Sequence, residues 1–224
     1  MVQADNTHTP IVDSSYENNV HITQINCIER AKYISDVNYT VELTLPKGDW
    51  YSGCVSVNFK MSSNLPKNDL FLDFRGYAIG NYTVNGIDAS TAMPADSLFK
   101  GQHVLIPTKL LKAGESNTLK MYIANKYRKD GVGLHSFTDK TDGLQYLYTQ
   151  FEADFCHFVF PCFDQPDLKA CWKFSTKTES SWAIISNEAE ITDAEREKSL
   201  EEASTTAQNV FASLKEHGFG SFEG

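Results

Sequence analysis

The sequence lacks the features of secreted, membrane-spanning and nucleic-acid-binding proteins. Its five cysteines are odd in number and irregularly spaced, so they do not form a disulfide framework. Residues 1–19 lack the basic and apolar regions of a signal peptide, and no window approaches the roughly 20 apolar residues of a membrane span. The net charge of −9 disfavours nucleic acid and anionic membranes. We therefore expect a cytoplasmic protein, with neither a nucleic-acid partner nor membrane insertion.

Common catalytic motifs are also missing. None of the six histidines begins a His-Glu-x-x-His pattern, and no phosphate-binding loop or Rossmann fingerprint occurs. Cys156, His157, Cys162 and Cys171 cluster, but gaps of six and nine residues separate the cysteines, whereas structural zinc ligands pair about two to four residues apart. In a strand, Cys156 and His157 would point to opposite faces, which also disfavours a Cys-His nucleophile pair. Residue chemistry alone predicts buried thiols, no metal site and no complete catalytic site.

What the sequence does contain is a repeated period of two. With 41% apolar and 22% charged residues it has the composition of a globular protein. Short runs alternate apolar and polar residues and end at Gly, Pro or Asn, as half-buried strands do. The pattern predicts a mainly β protein, an antiparallel β-sandwich or saddle. The predicted strands are 37–45, 55–59, 70–74, 82–84, 103–106, 119–123, 144–151, 158–160, 170–174 and 182–186.

The two ends of the chain differ from this β body, which we place at residues 20–190. Residues 1–19 are polar and aperiodic and predict a flexible arm. Residues 191–218 predict an acidic helix, in which Thr192 and Glu195 form a capping box, followed by a tail at 219–224. The helix carries one apolar stripe, made of Leu200, Ala203, Ala207, Val210, Phe211 and Leu214. Either this stripe packs on the β body or it docks on another protein.

Three motifs stand in order in the second half of the chain: T-Q-F-E at 149–152, F-P-C-F-D-Q-P at 160–166 and K-A at 169–170. Together they resemble the N-terminal domain of zinc aminopeptidases of the aminopeptidase N family. Other segments fall in the family's order, and the resemblance covers roughly residues 28–187. It implies a saddle-like β-sandwich that, in a whole enzyme, covers one side of a thermolysin-like catalytic domain.

The resemblance also implies substrate-binding roles for two residues. Gln150 would line the pocket for the first side chain of the substrate, and Glu152 would hold the free α-amino group. A carboxylate is the natural partner of an ammonium group, and a buried pair of this kind distinguishes a free N-terminus from an internal peptide. Alternatively, Glu152 is a solvated acid at the end of a strand.

The F-P-C-F-D-Q-P run is interpreted as architectural. Its prolines restrict the backbone, its phenylalanines fill the core, and its aspartate can accept hydrogen bonds from loop N–H groups. Its cysteine is then a small buried residue and not a nucleophile. The residues assigned to this structural motif are Pro161, Cys162, Phe163, Asp164 and Pro166.

The sequence departs from the family in ways that bear on function. It has no G-x-M-E-N loop and no His-Glu-x-x-His, so zinc would belong to a catalytic domain that this chain lacks. We expect no enzymatic activity from the chain alone. The first hypothesis is a non-catalytic, stand-alone relative that binds a protein partner within a larger assembly. The second is the N-terminal part of an active zinc aminopeptidase. The third is a binder of peptides with free N-termini.

Overall fold

The computed structural model describes residues 11–12, 22–100 and 102–190. Its helices are α1 (Gln24–Ala31) and α2 (Ala95–Leu98), with 3₁₀ turns at Ala89–Thr91, Thr108–Leu110 and Cys156–Phe158. Its strands are β1 (Ile11–Val12), β2 (Ile34–Leu45), β3 (Trp50–Met61), β4 (Leu70–Asp73), β5 (Ala78–Val84), β6 (Ile87–Asp88), β7 (Phe99–Lys100), β8 (His103–Ile106), β9 (Ser116–Lys126), β10 (Gly133–Thr138), β11 (Gln145–Gln150) and β12 (Ala170–Thr178).

The strands form one large sheet and two small ones. In the described part of the chain the large sheet has seven strands, in the order β1-β5-β9-β3-β2-β12, with β6 paired to β5. The small sheets are β4-β8-β7 and the hairpin β10-β11. The predicted mainly β, antiparallel architecture is confirmed, although β12 pairs with β2 in parallel.

Most of the predicted strands are confirmed. In β2 the residues Val37, Tyr39, Val41 and Leu43 are buried and alternate with more exposed neighbours, as a half-buried strand requires. Asn85 and Gly86 both have positive φ, at 54° and 79°, and connect β5 to β6 in a hairpin.

Two predicted strands are wrong. Phe158 ends a 3₁₀ turn and residues 159–160 follow it, because the N–H of Val159 donates to the carbonyl of Cys156 and forms a local hydrogen bond instead of a strand pairing. Residues 182–186 are irregular, and Ile184 and Ile185 are largely exposed. An apolar run becomes a strand only where a neighbouring strand satisfies its backbone groups, and the described residues provide none for 182–186.

Helix α1 has no counterpart among the predicted elements, because its eight residues hold only a short apolar pattern. The isoleucines of that pattern are exposed, and one residue of the helix is buried. The Thr23 side chain caps it by accepting the Asn26 N–H at 3.2 Å. Its buried residue is Arg30, which donates to Asp73 Oδ2 and to Gln165 Oε1, both at 2.7 Å. The side chain of a charged residue thus attaches α1 to the body.

One hydrophobic core joins the large sheet to the three-stranded sheet and to the F-P-C-F-D-Q-P segment. Val55, Val57 and Met121 come from the large sheet, and Leu72 and Val104 from the small one; each is at most 1% exposed. No helix in the described ranges is long and apolar enough to cross a bilayer.

Some predicted regions lie partly or wholly outside the described residues. Within the predicted arm, Ile11 and Val12 pair with Ile79 and Ala78 of β5, and the rest of the arm is not described. The predicted helix at 191–218, with all its stripe residues, and the tail at 219–224 lie outside as well.

Candidate functional site

The β10–β11 hairpin carries the substrate-binding residue predicted at position 150. The strands are in register, with Gly133 opposite Gln150 and His135 opposite Tyr148. Because paired residues point to the same side and successive residues alternate, the hairpin has two distinct faces. Its inner face packs on the body through Leu134, which is 4% exposed.

Polar contacts also hold the inner face in place. The Gln145 side chain donates to the Gly48 carbonyl and to Ser136 Oγ, both at 2.8 Å, and its Oε1 accepts the Gly48 N–H at 3.0 Å. Ser136 is 1% exposed. These inner-face contacts therefore hold the hairpin backbone in place, and the side chains of the outer face project from this fixed backbone.

The outer face carries a row of aromatic rings, which we call the aromatic face: His135, Phe137, Tyr146 and Tyr148. Phe137 stacks on Tyr146 with ring centroids 5.4 Å apart, and His135 lies 4.9 Å from Tyr148. Phe137, Tyr146 and Tyr148 are 41%, 42% and 44% exposed. Three adjacent, half-exposed aromatic side chains are typical of a contact surface.

One end of the aromatic face has a polar anchor. The Tyr146 O–H donates to Asp142 Oδ2 at 2.6 Å. This hydrogen bond raises the pKa of Tyr146 and lowers the pKa of Asp142. The phenol is thereby held in one orientation at the turn that joins β10 to β11.

Gln150 and Glu152 lie together at the opposite end of the hairpin. Both are exposed, and the Glu152 N–H donates to Gln150 Oε1 at 2.9 Å. Glu152 forms no ion pair with any residue that the structure describes. Gln150 points to the same side as the aromatic face, since it is two residues beyond Tyr148 on the same strand.

The F-P-C-F-D-Q-P run lies apart from the hairpin face, at the junction of the sheets. Cys162 and Asp73 exchange two backbone hydrogen bonds, at 2.8 and 3.1 Å. The Phe163 N–H donates to the Tyr39 hydroxyl oxygen at 2.9 Å, and Asp164 Oδ2 accepts the His157 N–H at 3.0 Å. Within this run, Pro161 is buried and Pro166 is exposed.

Among the clustered cysteines and histidine, the thiols of Cys156 and Cys162 lie within hydrogen-bonding distance of each other, but Cys171 and His157 have other surroundings. Cys162 is buried, and burial raises the pKa of its thiol well above the ordinary value. Cys171 is exposed on β12, and the imidazole Nδ1 of His157 lies 2.7 Å from Asp164 Oδ2. Among the described residues, no three His, Cys, Asp or Glu side chains are placed to share a metal ion. The donor set in this part of the chain does not fit zinc.

Sequence reasoning missed the aromatic face and the Arg30 contacts. The signal for the face was present, because Phe137, Tyr146 and Tyr148 occupy alternate positions of two neighbouring strands. Alternation shows which residues share a face but not whether that face is covered. No sequence signal paired Arg30 with Asp73, 43 residues away.

Residues 35–211 of the chain match the family of peptidase M1 N-terminal domains. The chain is 31% identical over 170 residues to aminopeptidase N of Streptomyces lividans, a match that covers 75% of this chain and 19% of that protein. It is 32% identical over 97 residues to human aminopeptidase Q, covering 42% of this chain and 10% of the relative. The chain thus spans about a fifth or less of the length of these relatives.

Solved structures show the same fold. Native yeast LTA4 hydrolase superposes with a TM-score of 0.55 at 20% identity, over 73% of this chain and 26% of the hydrolase. Its complex with bestatin superposes with a TM-score of 0.53 at 18% identity, over 75% and 27% of the two chains.

Proposed function

The chain belongs to the peptidase M1 N-terminal domain family, and from this premise we propose that it is a non-catalytic binding module whose aromatic face docks on a catalytic domain of the M1 type. The observation that carries the proposal is the aromatic face itself. Its inner side is packed and hydrogen-bonded, while its outer side leaves Phe137, Tyr146 and Tyr148 close to half exposed. Rigid aromatic side chains bind partners at a low cost in conformational entropy.

The relatives support the choice of partner. The Streptomyces aminopeptidase shares only the region that aligns with this chain, 19% of its length, so most of that enzyme lies outside the shared domain. A domain that occurs beside a larger one presents a surface to it, and the uncovered apolar face of the hairpin suits that purpose. The catalytic domain would be provided by another chain or by the same polypeptide.

The absence of catalysis is part of the proposal. No His-Glu-x-x-His occurs in the sequence, so the chain lacks the two-histidine motif that holds zinc in such peptidases. The module would stabilise and orient its partner, and the chemistry would take place on the partner. This corresponds to a structural or interaction subunit of a larger assembly.

The first test measures docking directly. Replacing Phe137 and Tyr148 with serine should weaken binding to an M1 catalytic domain by about ten- to a hundredfold, because central aromatic residues contribute most of the free energy of association. The probe is the part of the Streptomyces lividans aminopeptidase outside the shared region, and the measurement is isothermal titration calorimetry.

The matched control for this test is Ile87→Ser, which removes an apolar residue that is 49% exposed on the large sheet. It should leave the affinity unchanged. Equal affinity of the wild-type chain and the double variant would refute the aromatic face as the docking surface, and so would the absence of wild-type binding.

A second candidate function is a contribution to substrate binding at the same hairpin. It is favoured by the position of Gln150, which shares a side with the aromatic face, and by the exposed carboxylate of Glu152 next to it. In a complex with a catalytic domain, Glu152 would be desolvated and could accept hydrogen bonds from the ammonium group of a substrate. Without a partner, the same carboxylate could bind the free N-terminus of a peptide.

This second function predicts a charge-specific effect. Glu152→Gln should reduce the affinity for peptides with a free N-terminus about tenfold, since a charge-assisted hydrogen bond contributes about 1.5–3 kcal/mol. Peptides with an acetylated N-terminus should bind the wild type and the variant equally. Fluorescence anisotropy with both peptides, in the presence and absence of the catalytic domain, gives the comparison. Indifference of the wild type to acetylation would exclude this function.

A further inference from the structure

A second apolar surface lies at the edge of the large sheet, on β12. This strand pairs with β2 on one side and ends the strand order of the described sheet. Trp172 is in register with Tyr39, and Phe174 with Val41. Tyr39 and Val41 are 3% and 0% exposed, so Trp172 and Phe174 point to the core side of the sheet.

Coverage of these two rings is nevertheless incomplete. Trp172 stacks on Tyr39 with ring centroids 4.0 Å apart and lies 5.6 Å from the Phe160 ring. Even so, Trp172 remains 49% exposed and Phe174 remains 47% exposed. We call these two residues the β12 strip. Folded proteins commonly cover an apolar edge strand of this kind with a helix or a loop, because an open edge invites pairing with another chain.

We propose that residues 191–218 of this chain form a helix whose apolar stripe packs on the β12 strip. Two observations point to this segment. Only 12 residues, 179–190, connect the end of β12 at Thr178 to the start of the segment, so the segment lies close in the sequence to the strand it would cover. The family match runs to residue 211, which places most of the segment in the same domain as β12.

The chemistry of the two surfaces is complementary. The predicted helix at residues 191–218 carries one apolar stripe, and the β12 strip has two half-exposed aromatic rings that this stripe could cover. Residues 191–224 contain seven Asp and Glu and three Lys and Arg, whereas β12 contains Lys173 and Lys177 and no acid. The lysines lie on the other face of β12, where their long side chains can reach past the free edge of the sheet.

A segment of the same chain also has a concentration advantage over other occupants. Tethering by a short linker gives it an effective local concentration of about millimolar. A second copy of the chain would reach that concentration only in concentrated solution. The inference is independent of what binds the aromatic face, which lies on a different sheet.

The test uses the full chain and measures amide hydrogen exchange of β12. Val210→Asp with Leu214→Asp places two charges in the stripe, and exchange of the residue 170–178 amides should then increase about tenfold or more. The matched control is Thr205→Asp with Asn209→Asp, which adds the same charges on the opposite side of the predicted helix. The control should leave β12 exchange unchanged. Exchange of β9, in the interior of the large sheet, serves as the internal reference and should remain constant.

The reciprocal change should be visible in the segment. Trp172→Ser with Phe174→Ser should lower the helical circular dichroism signal and deprotect the residue 200–214 amides, while Ile87→Ser should not. Equal β12 exchange in the stripe variant and its control would overturn the proposal. Loss of β12 protection on dilution of the wild type would also overturn it, since that result assigns the strip to a second copy of the chain.

Discussion

Replacing Asp73 with alanine is expected to lower the free energy of unfolding by about 3–5 kcal/mol, because it leaves the guanidinium of Arg30 charged and buried without its acid. The Arg30 and Asp73 side chains are 1% and 6% exposed, and their nitrogen and oxygen are 2.7 Å apart. Arg30 would retain Gln165 Oε1 and the Phe71 carbonyl as acceptors. Both are neutral, so neither compensates the charge.

Chemical denaturation followed by tryptophan fluorescence measures this loss. The control is Glu29→Ala, on the same helix, which removes the exposed ion pair with Lys32. That variant should leave the denaturation midpoint unchanged, since water screens exposed pairs. Equal stability of Asp73→Ala and the wild type would show that the buried pair does not hold α1 on the body.

The second large effect is expected from Phe163→Ala in the F-P-C-F-D-Q-P run, a loss of about 3–5 kcal/mol. Phe163 is 4% exposed and meets the Phe59 ring edge-on at a centroid distance of 5.7 Å. Its backbone N–H is held by the Tyr39 hydroxyl at 2.9 Å. The main chain is therefore not free to collapse into the space left by the ring, and a cavity should remain.

The same denaturation experiment applies to Phe163→Ala, with Phe137→Ala as control. Phe137 is also a phenylalanine but is 41% exposed, so its truncation should cost far less. A loss near that of the control would contradict an architectural role for the run. Because the Arg30 guanidinium lies 5.6 Å from the Phe163 ring, losses from Asp73→Ala and Phe163→Ala should not add in the double variant.

The strands predicted by alternation are largely correct. Both errors arose because alternation does not show which hydrogen-bond partners the backbone finds. Alternation is a property of one segment, so it identified β2, β3 and β9 from their own residues. A strand also needs a neighbour, and for residues 182–186 the described residues supply none. At residues 156–160 local hydrogen bonds determined the backbone conformation. Asp164 accepts the His157 N–H there, and residues 156–158 form a 3₁₀ turn.

By itself the sequence determined the β class, the family resemblance and the positions of Gln150, Glu152 and the F-P-C-F-D-Q-P run, because these depend on residue identity and order along the chain. Only the tertiary structure decided which surfaces remain uncovered. Phe137 and Phe163 are both phenylalanines that stand next to polar residues in the sequence, yet one lies on an outer face at 41% exposure and the other in the core at 4%. Burial depends on what packs against a residue from distant parts of the chain, as Arg30 and Asp73 also show.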